Sequence, residues 1–127
     1  MSTRLELSKL ARVRLRDAEV LYSNQRYSGA FYLCGYVLEL ALKARICKTL
    51  RWPKYNVGSS YSSFKTHDLD VLLNLAGLAS KIQKKYVAEW LIVKSWKPER
   101  RYEPAKKVTR KNASAMLRHT RTLLKVV

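Results

Sequence analysis

The sequence predicts an all-α protein built as a helical bundle, on three observations. Long stretches carry apolar residues at helical spacing, one central stretch is apolar on almost every side, and the segments between them are short or rich in Pro, Gly and Ser. No stretch reads convincingly as a strand, and no internal repeat is present. A chain of 127 residues fits one domain, and 47% hydrophobic residues suffice for a core.

Residues 4–24 read as the first helix, with Thr3 and Glu6 spaced as a capping box. Leu7, Leu10, Ala11, Leu15, Ala18, Leu21 and Tyr22 share one face. Arg4, Arg12 and Arg16 lie largely off that face, but Arg14 projects into the middle of the apolar arc. Residues 28–50 read as a second helix, with Ser28 as its cap. A helix as apolar all round as this one is buried on most sides, which places it at the centre of the bundle. Only a few residues around Gln25–Tyr27 join the two helices, so they should pack as an antiparallel hairpin.

Residues 51–66 read as a loop, broken by Pro53, Gly58 and four serines. It interleaves Trp52, Tyr55, Tyr61 and Phe64 with Arg51, Lys54 and Lys65. Such a mixture suits stacking on single-stranded bases, or else the rings cover the end of the bundle. A short helix is expected from Asp68 to Ala76, closed by Gly77, and another from Ala79 to Lys94. Residues 95–104 form a second loop, with two prolines. The last helix is expected from Ala105 to near the end, with Val108, Ala115, Met116, Leu117, Leu123 and Leu124 on its apolar arc. Its opposite face carries Lys107, Arg110, Lys111, Arg118, Arg121 and Lys125, a basic stripe with no acidic residue in it. A face built only for helix stability would pair Lys with Glu.

The charge balance points to partners rather than to a fold. There are 26 Lys and Arg against 9 Asp and Glu, a formal +17. A polyanion relieves such self-repulsion, and nucleic acid is the commonest, because its phosphates exchange condensed counterions for Lys and Arg. An acidic protein or an anionic surface would serve the same physics. Cys34 and Cys47 stand thirteen residues apart in one predicted helix. At about 1.5 Å of rise per residue they are too distant for a mutual disulfide. Two Cys and two His make no zinc pattern, so no metal and no cofactor is expected. The opening residues lack the apolar core of a signal peptide, and no apolar run is long enough to span a membrane. The expected location is the cytoplasm.

Three stretches together carry a family pattern. RLRDAEVLYSNQRYSGAFYLCGYVLELALKARI at 14–46 resembles the opening helical hairpin of HEPN domains. KTHDLDVLLNLAGL at 65–78 and W-x-P-E-x-R-Y at 96–102 (Trp96, Pro98, Glu99, Arg101, Tyr102) resemble later parts of the same domain, in the same order. The resemblance implies a four- or five-helix up-and-down bundle, commonly a homodimer. It also implies RNA as partner: many members are ribonucleases of toxin–antitoxin, defence or RNA-processing systems, and others only bind. Standalone members often accompany a nucleotidyltransferase-like protein, which is therefore an expected partner. The nuclease members use Arg, four to six intervening residues, then His, near the start of the last helix. A base activates the ribose 2′-OH and a cation stabilises the phosphorane, without metal.

This sequence departs from that pattern. The residues five to seven positions before His119 are Asn112, Ala113 and Ser114, and those before His67 are Ser60, Tyr61 and Ser62. Arg101 looks like the retained arginine, but Lys106, Lys107 and Val108 stand where histidine would fall. Lysine, with an ordinary pKa of about 10.4, is a poor base at neutral pH. The leading expectation is therefore an RNA binder with degenerate catalysis. The alternatives are an endoribonuclease using His67 or His119 with Arg101, or a dimeric module acting through its nucleotidyltransferase-like partner.

The candidate residues follow. Arg100, Arg101 and Tyr102 form the first functional patch, offering guanidinium forks for phosphate and a ring for stacking, or else a loop staple. The basic stripe of the last helix would hold phosphates. Arg14 and Glu39 are expected to meet as a buried polar pair, because each interrupts an apolar surface and a buried charge normally has a partner. His67 reads as a phosphate ligand at the start of a short helix or as a local loop hydrogen bond. His119 reads as a core or interface histidine.

Overall fold

The computed structural model describes residues 2–55, 66–96 and 108–127. Six helices follow one another: α1 (Arg4–Ser23), α2 (Tyr27–Leu50), α3 (Leu69–Leu75), α4 (Ala79–Lys85), α5 (Val87–Val93) and α6 (Arg110–Leu124). No strand occurs among the described residues, although Thr3 and Lys54 make an isolated antiparallel bridge. The protein is an all-α bundle, as its periodicity predicts.

The expected capping box starts α1: Thr3 Oγ1 accepts from Glu6 N at 3.1 Å, and Thr3 N donates to Glu6 Oε1 at 2.9 Å. Leu7, Ala11 and Ala18 of its apolar face are buried, whereas Leu10 lies at the solvent edge. Ser28 does not cap α2. The helix starts at Tyr27 with Arg26 as its N-cap and no side-chain cap bond, because the turn before it is already closed by backbone. Gln25 takes φ 63°, and Arg26 N donates to Leu21 O at 2.8 Å.

The helix α2 is central, as its all-round apolarity requires: it packs against α1, α3 and α6. Leu38, Leu42 and Ile46 on it, Leu72 on α3, and Met116 and Leu117 on α6 are fully buried in the common core. Cys34 and Cys47 are both free and buried. Burial pushes the Cys34 thiol up to about 12, against the smaller opposing effect of the Thr120 hydroxyl near it. The loop after α2 contributes Tyr55 to the core, and Trp52 meets it edge to face, ring centroids 6.3 Å apart. These two rings cover the bundle; Tyr61 and Phe64 lie outside the described residues.

The helix α3 starts and stops as its sequence signals, with Asp68 capping and Gly77 at φ 76° just beyond it. Two expected boundaries shift. The stretch 79–94 is two helices, because Tyr86 adopts φ −133° and ψ 27° and turns the axis. After the turn α5 packs against α6 and is tied to α3 by side chains, with Trp90 Nε1 donating to Asp70 Oδ1 at 2.7 Å and Lys94 3.9 Å from the same carboxylate. The last helix begins at Arg110, so Val108 and Thr109 precede it. A second capping box starts the helix there: Thr109 Oγ1 accepts from Asn112 N at 3.1 Å, and Asn112 Oδ1 accepts from Thr109 N at 3.4 Å. Among the described residues no helix is long and apolar enough to cross a membrane.

Candidate functional site: a buried carboxylate holding an exposed histidine

Glu39 is the one carboxylate on α2, and it is only 4% exposed. Burial of that kind requires partners for both oxygens. Lys43, one turn along the same helix, donates to Oε2 at 3.0 Å. His67 Nδ1 lies 2.7 Å from Oε1. A carboxylate paired with Lys43 only accepts, so Nδ1 must carry the hydrogen and donate it. In the neutral ring that leaves the lone pair on Nε2, and the His67 side chain is 56% exposed.

Local structure holds His67 there. Thr66 Oγ1 accepts from Asp68 N at 3.0 Å, and Asp68 Oδ1 accepts from Asp70 N at 2.9 Å and Val71 N at 3.3 Å. The next residue, Leu69, is buried and anchors the turn. Aromatic rings wall the cluster. Tyr36 meets His67 edge-on at 6.3 Å and Trp96 at 5.1 Å, and Tyr32 donates to the Tyr36 hydroxyl at 2.9 Å. Trp96 lies flat enough on α2 that a Cβ at Gly35 would overlap its ring. On the other side, Lys43 sits 5.3 Å from the Tyr55 ring centroid. Burial raises the Tyr55 hydroxyl above its ordinary range, reinforced by Cys47 and by Glu39 nearby, so it stays protonated.

The arrangement is a carboxylate–imidazole dyad with a lysine closing the charge balance. Its exposed Nε2 can accept or deliver a proton, and a protonated ring can face an anion. Trp96 and Thr66 are the described residues next to 97–107 and 56–65. Arg100, Arg101, Tyr102 and Lys107, the first functional patch and the start of the stripe, lie outside the described residues.

Arg14 does not meet Glu39. Its guanidinium Nη1 bonds Asp17 Oδ2 at 3.0 Å, with the side chain 41% exposed. A long side chain rooted in an apolar arc carries its charge out to water, where a nearby carboxylate pairs with it without desolvation. Lys43 and His67 take the place expected of Arg14. The i,i+4 spacing of Glu39 and Lys43 was legible in the sequence. The His67 contact was not, since it spans 28 residues across a loop.

The basic stripe of α6 is less uniform than its spacing implies. Arg121 Nη2 bonds Glu19 Oε2 of α1 at 2.8 Å. Arg110 reaches the Tyr22 hydroxyl, and with Ser114 it holds that phenol below its usual range. Lys111, Arg118 and Lys125 are exposed, and none has an ion-pair partner among the described residues. His119 is half-buried beside them and makes no bond to His67 among the described residues.

The family model described as the HEPN domain matches residues 5–127. No curated protein and no solved structure matches the chain.

Proposed function

This chain belongs to the HEPN domain family, an RNA-related and nuclease-like family, and on that premise we propose that it binds RNA in a toxin–antitoxin, defence or RNA-regulatory system, without the usual cleavage chemistry of its relatives. The observation that carries the reading is the line of Lys111, Arg118 and Lys125. They stand seven residues apart, so they share one face of the last helix with about 10.5 Å of rise between neighbours. Three exposed cations without carboxylate partners among the described residues suit successive contacts to a phosphate backbone. Degenerate catalysis follows from the residues before His67 and His119, neither of which has an arginine at the family spacing.

The test is retention of labelled single-stranded RNA in EDTA over a series of salt concentrations. Three phosphate contacts on a single strand predict a slope of about −2 in log affinity against log salt, roughly tenfold weaker binding between low and physiological salt. Lys111→Ala/Arg118→Ala/Lys125→Ala should flatten that slope while far-UV circular dichroism is unchanged. An RNA that is not retained at low salt removes the reading.

One observation favours a second reading, and it is the Glu39–His67 dyad. A base with the correct tautomer, were Arg101 to supply the phosphorane cation, would make a metal-independent endoribonuclease. The 2′-oxygen would lose its proton to His67 and attack phosphorus, expelling the 5′-oxygen and leaving a 2′,3′-cyclic phosphate. Cleavage in EDTA that is lost in His67→Ala and kept in His119→Ala would replace the binding reading with this one.

A further inference from the structure

A second cluster of cations lies on the opposite side of α2 from Glu39, where the start of α1, the end of α2 and the end of α6 converge. Arg4 and Arg12 on α1 and Arg45 and Lys48 on α2 surround a cleft of about 240 Å³. Its lining includes the Ser8 hydroxyl and the small side chains Ala11, Ala41 and Ala44, which leave the space between the helices open. Arg4, Ser8 and Arg12 recur every four residues and so stand in one row along α1. The same three residues border a shallower groove reaching Trp52 and Pro53.

No carboxylate side chain lines the cleft. Those on the surrounding helices are all committed elsewhere. Glu6 closes the capping box with Thr3, Asp17 bonds Arg14, Glu19 bonds Arg121, and Glu39 holds Lys43 and His67. The sequence of α6 contains none. Arg45 gives one donor to Val127 O at 3.1 Å, and a guanidinium has five. Among the described residues none of the four cations is paired with an Asp or Glu side chain. Like charges gathered around one small space repel.

We propose that this cleft is a binding site for a phosphomonoester, with the phosphoryl group among Arg4, Arg12, Arg45 and Lys48 and the Ser8 hydroxyl as a further donor. A phosphomonoester carries about −1.5 to −2 at neutral pH, more than the single charge of an internal phosphodiester, and so offsets more of the cation cluster. The cleft is smaller than the ~300–1,000 Å³ typical of whole small-molecule sites, which fits a phosphoryl group whose attached carbon skeleton runs out along the groove toward Trp52. The ligand chemistry is shared by two sources, the terminal phosphate of an RNA strand and a small phosphorylated compound. The site is separate from the line of cations on α6 and does not rest on it.

The test uses the whole chain and two kinds of probe. Fluorescence anisotropy compares a short single-stranded RNA with a terminal phosphate, at either end, against the same RNA with terminal hydroxyls. Thermal unfolding compares glycerol 3-phosphate with glycerol. Both are repeated with Arg12→Gln/Lys48→Gln, whose exposed side chains leave the core untouched, and with Arg4→Gln/Arg45→Gln should the first pair not fold. A strand-end site predicts that the phosphorylated RNA binds wild type about tenfold tighter, or ~1.4 kcal/mol, and that the variant binds both RNAs alike. A small-compound site predicts no such margin, but a rise in Tm with glycerol 3-phosphate in wild type and none in the variant. If neither effect occurs, the proposal is overturned, while salt-sensitive binding of both RNAs would leave the α6 reading standing. If no RNA binds but glycerol 3-phosphate still stabilises wild type alone, the site stands and the RNA reading falls.

Discussion

At the scale of single residues, the chemistry of the candidate site depends on Glu39. Its two oxygens serve two different partners, one nearly buried and one more than half exposed. Removing the carboxylate leaves Lys43 in a largely desolvated place with no countercharge, and His67 without its orienting bond. Glu39→Ala should therefore cost about 3 kcal/mol in urea unfolding, while His67→Ala should cost no more than about 1 kcal/mol. Equal costs would show that the dyad is a packing feature of the exposed loop rather than a buried charge with a surface outlet. In nitrogen-15 spectra of the neutral ring, wild-type His67 should carry its hydrogen on Nδ1, and Glu39→Gln should disturb that preference.

At the scale of elements, the boundaries follow hydrogen bonds as much as propensity. Both capping boxes join a Thr to a side chain three residues on, Glu6 in one case and Asn112 in the other. The α1–α2 turn instead relies on a left-handed residue that is not glycine: Gln25 at φ 63°. Such a backbone strains an L side chain, and Gln25 is exposed with no packing to lose. Gln25→Gly should stabilise the fold by about 0.5–1 kcal/mol, read as a higher urea midpoint with an unchanged m value. A lower midpoint would mean that the flexibility glycine adds to the unfolded chain outweighs the strain it relieves.

At the scale of the whole molecule, the buried protonated groups set an alkaline limit to stability. The Cys34 thiol holds its proton to about 12 in the fold, whereas its ordinary value is 9.0. Between those values the unfolded chain binds fewer protons than the folded one, so stability falls as pH rises. The slope from this one group is of order 1 kcal/mol per pH unit. Loss of positive charge on the many lysines acts in the opposite direction over the same range, by easing self-repulsion. A comparison of wild type with Cys34→Ala isolates the thiol: their stability difference should be constant below pH 9 and shift in favour of the variant above it. A constant difference up to pH 11 would show that the thiol is not held protonated by burial.

Sequence alone determined what depends on spacing along one helix. The capping box at Thr3 and the glycine stop at Gly77 rest on contacts within a few residues, and the hairpin of the first two helices and the buried position of α2 follow from a short link and an all-round apolar surface, so a linear reading reaches them. The last helix start was legible too, in Thr109 and Asn112, but the run of helix-forming residues before it hid the cap. Only the tertiary structure decided the long-range partners of the charges. Arg14 and Glu39 each stood out as charges on apolar surfaces, yet a flexible side chain near the rim finds water and a local carboxylate first, whereas a carboxylate deep on a central helix takes whatever the neighbouring elements bring within reach. The joining of His67 to Glu39, the capture of Arg121 by Glu19, and the gathering of Arg4, Arg12, Arg45 and Lys48 around one cleft are products of packing between helices. Periodicity says which face a charge occupies; the fold decides what stands opposite it.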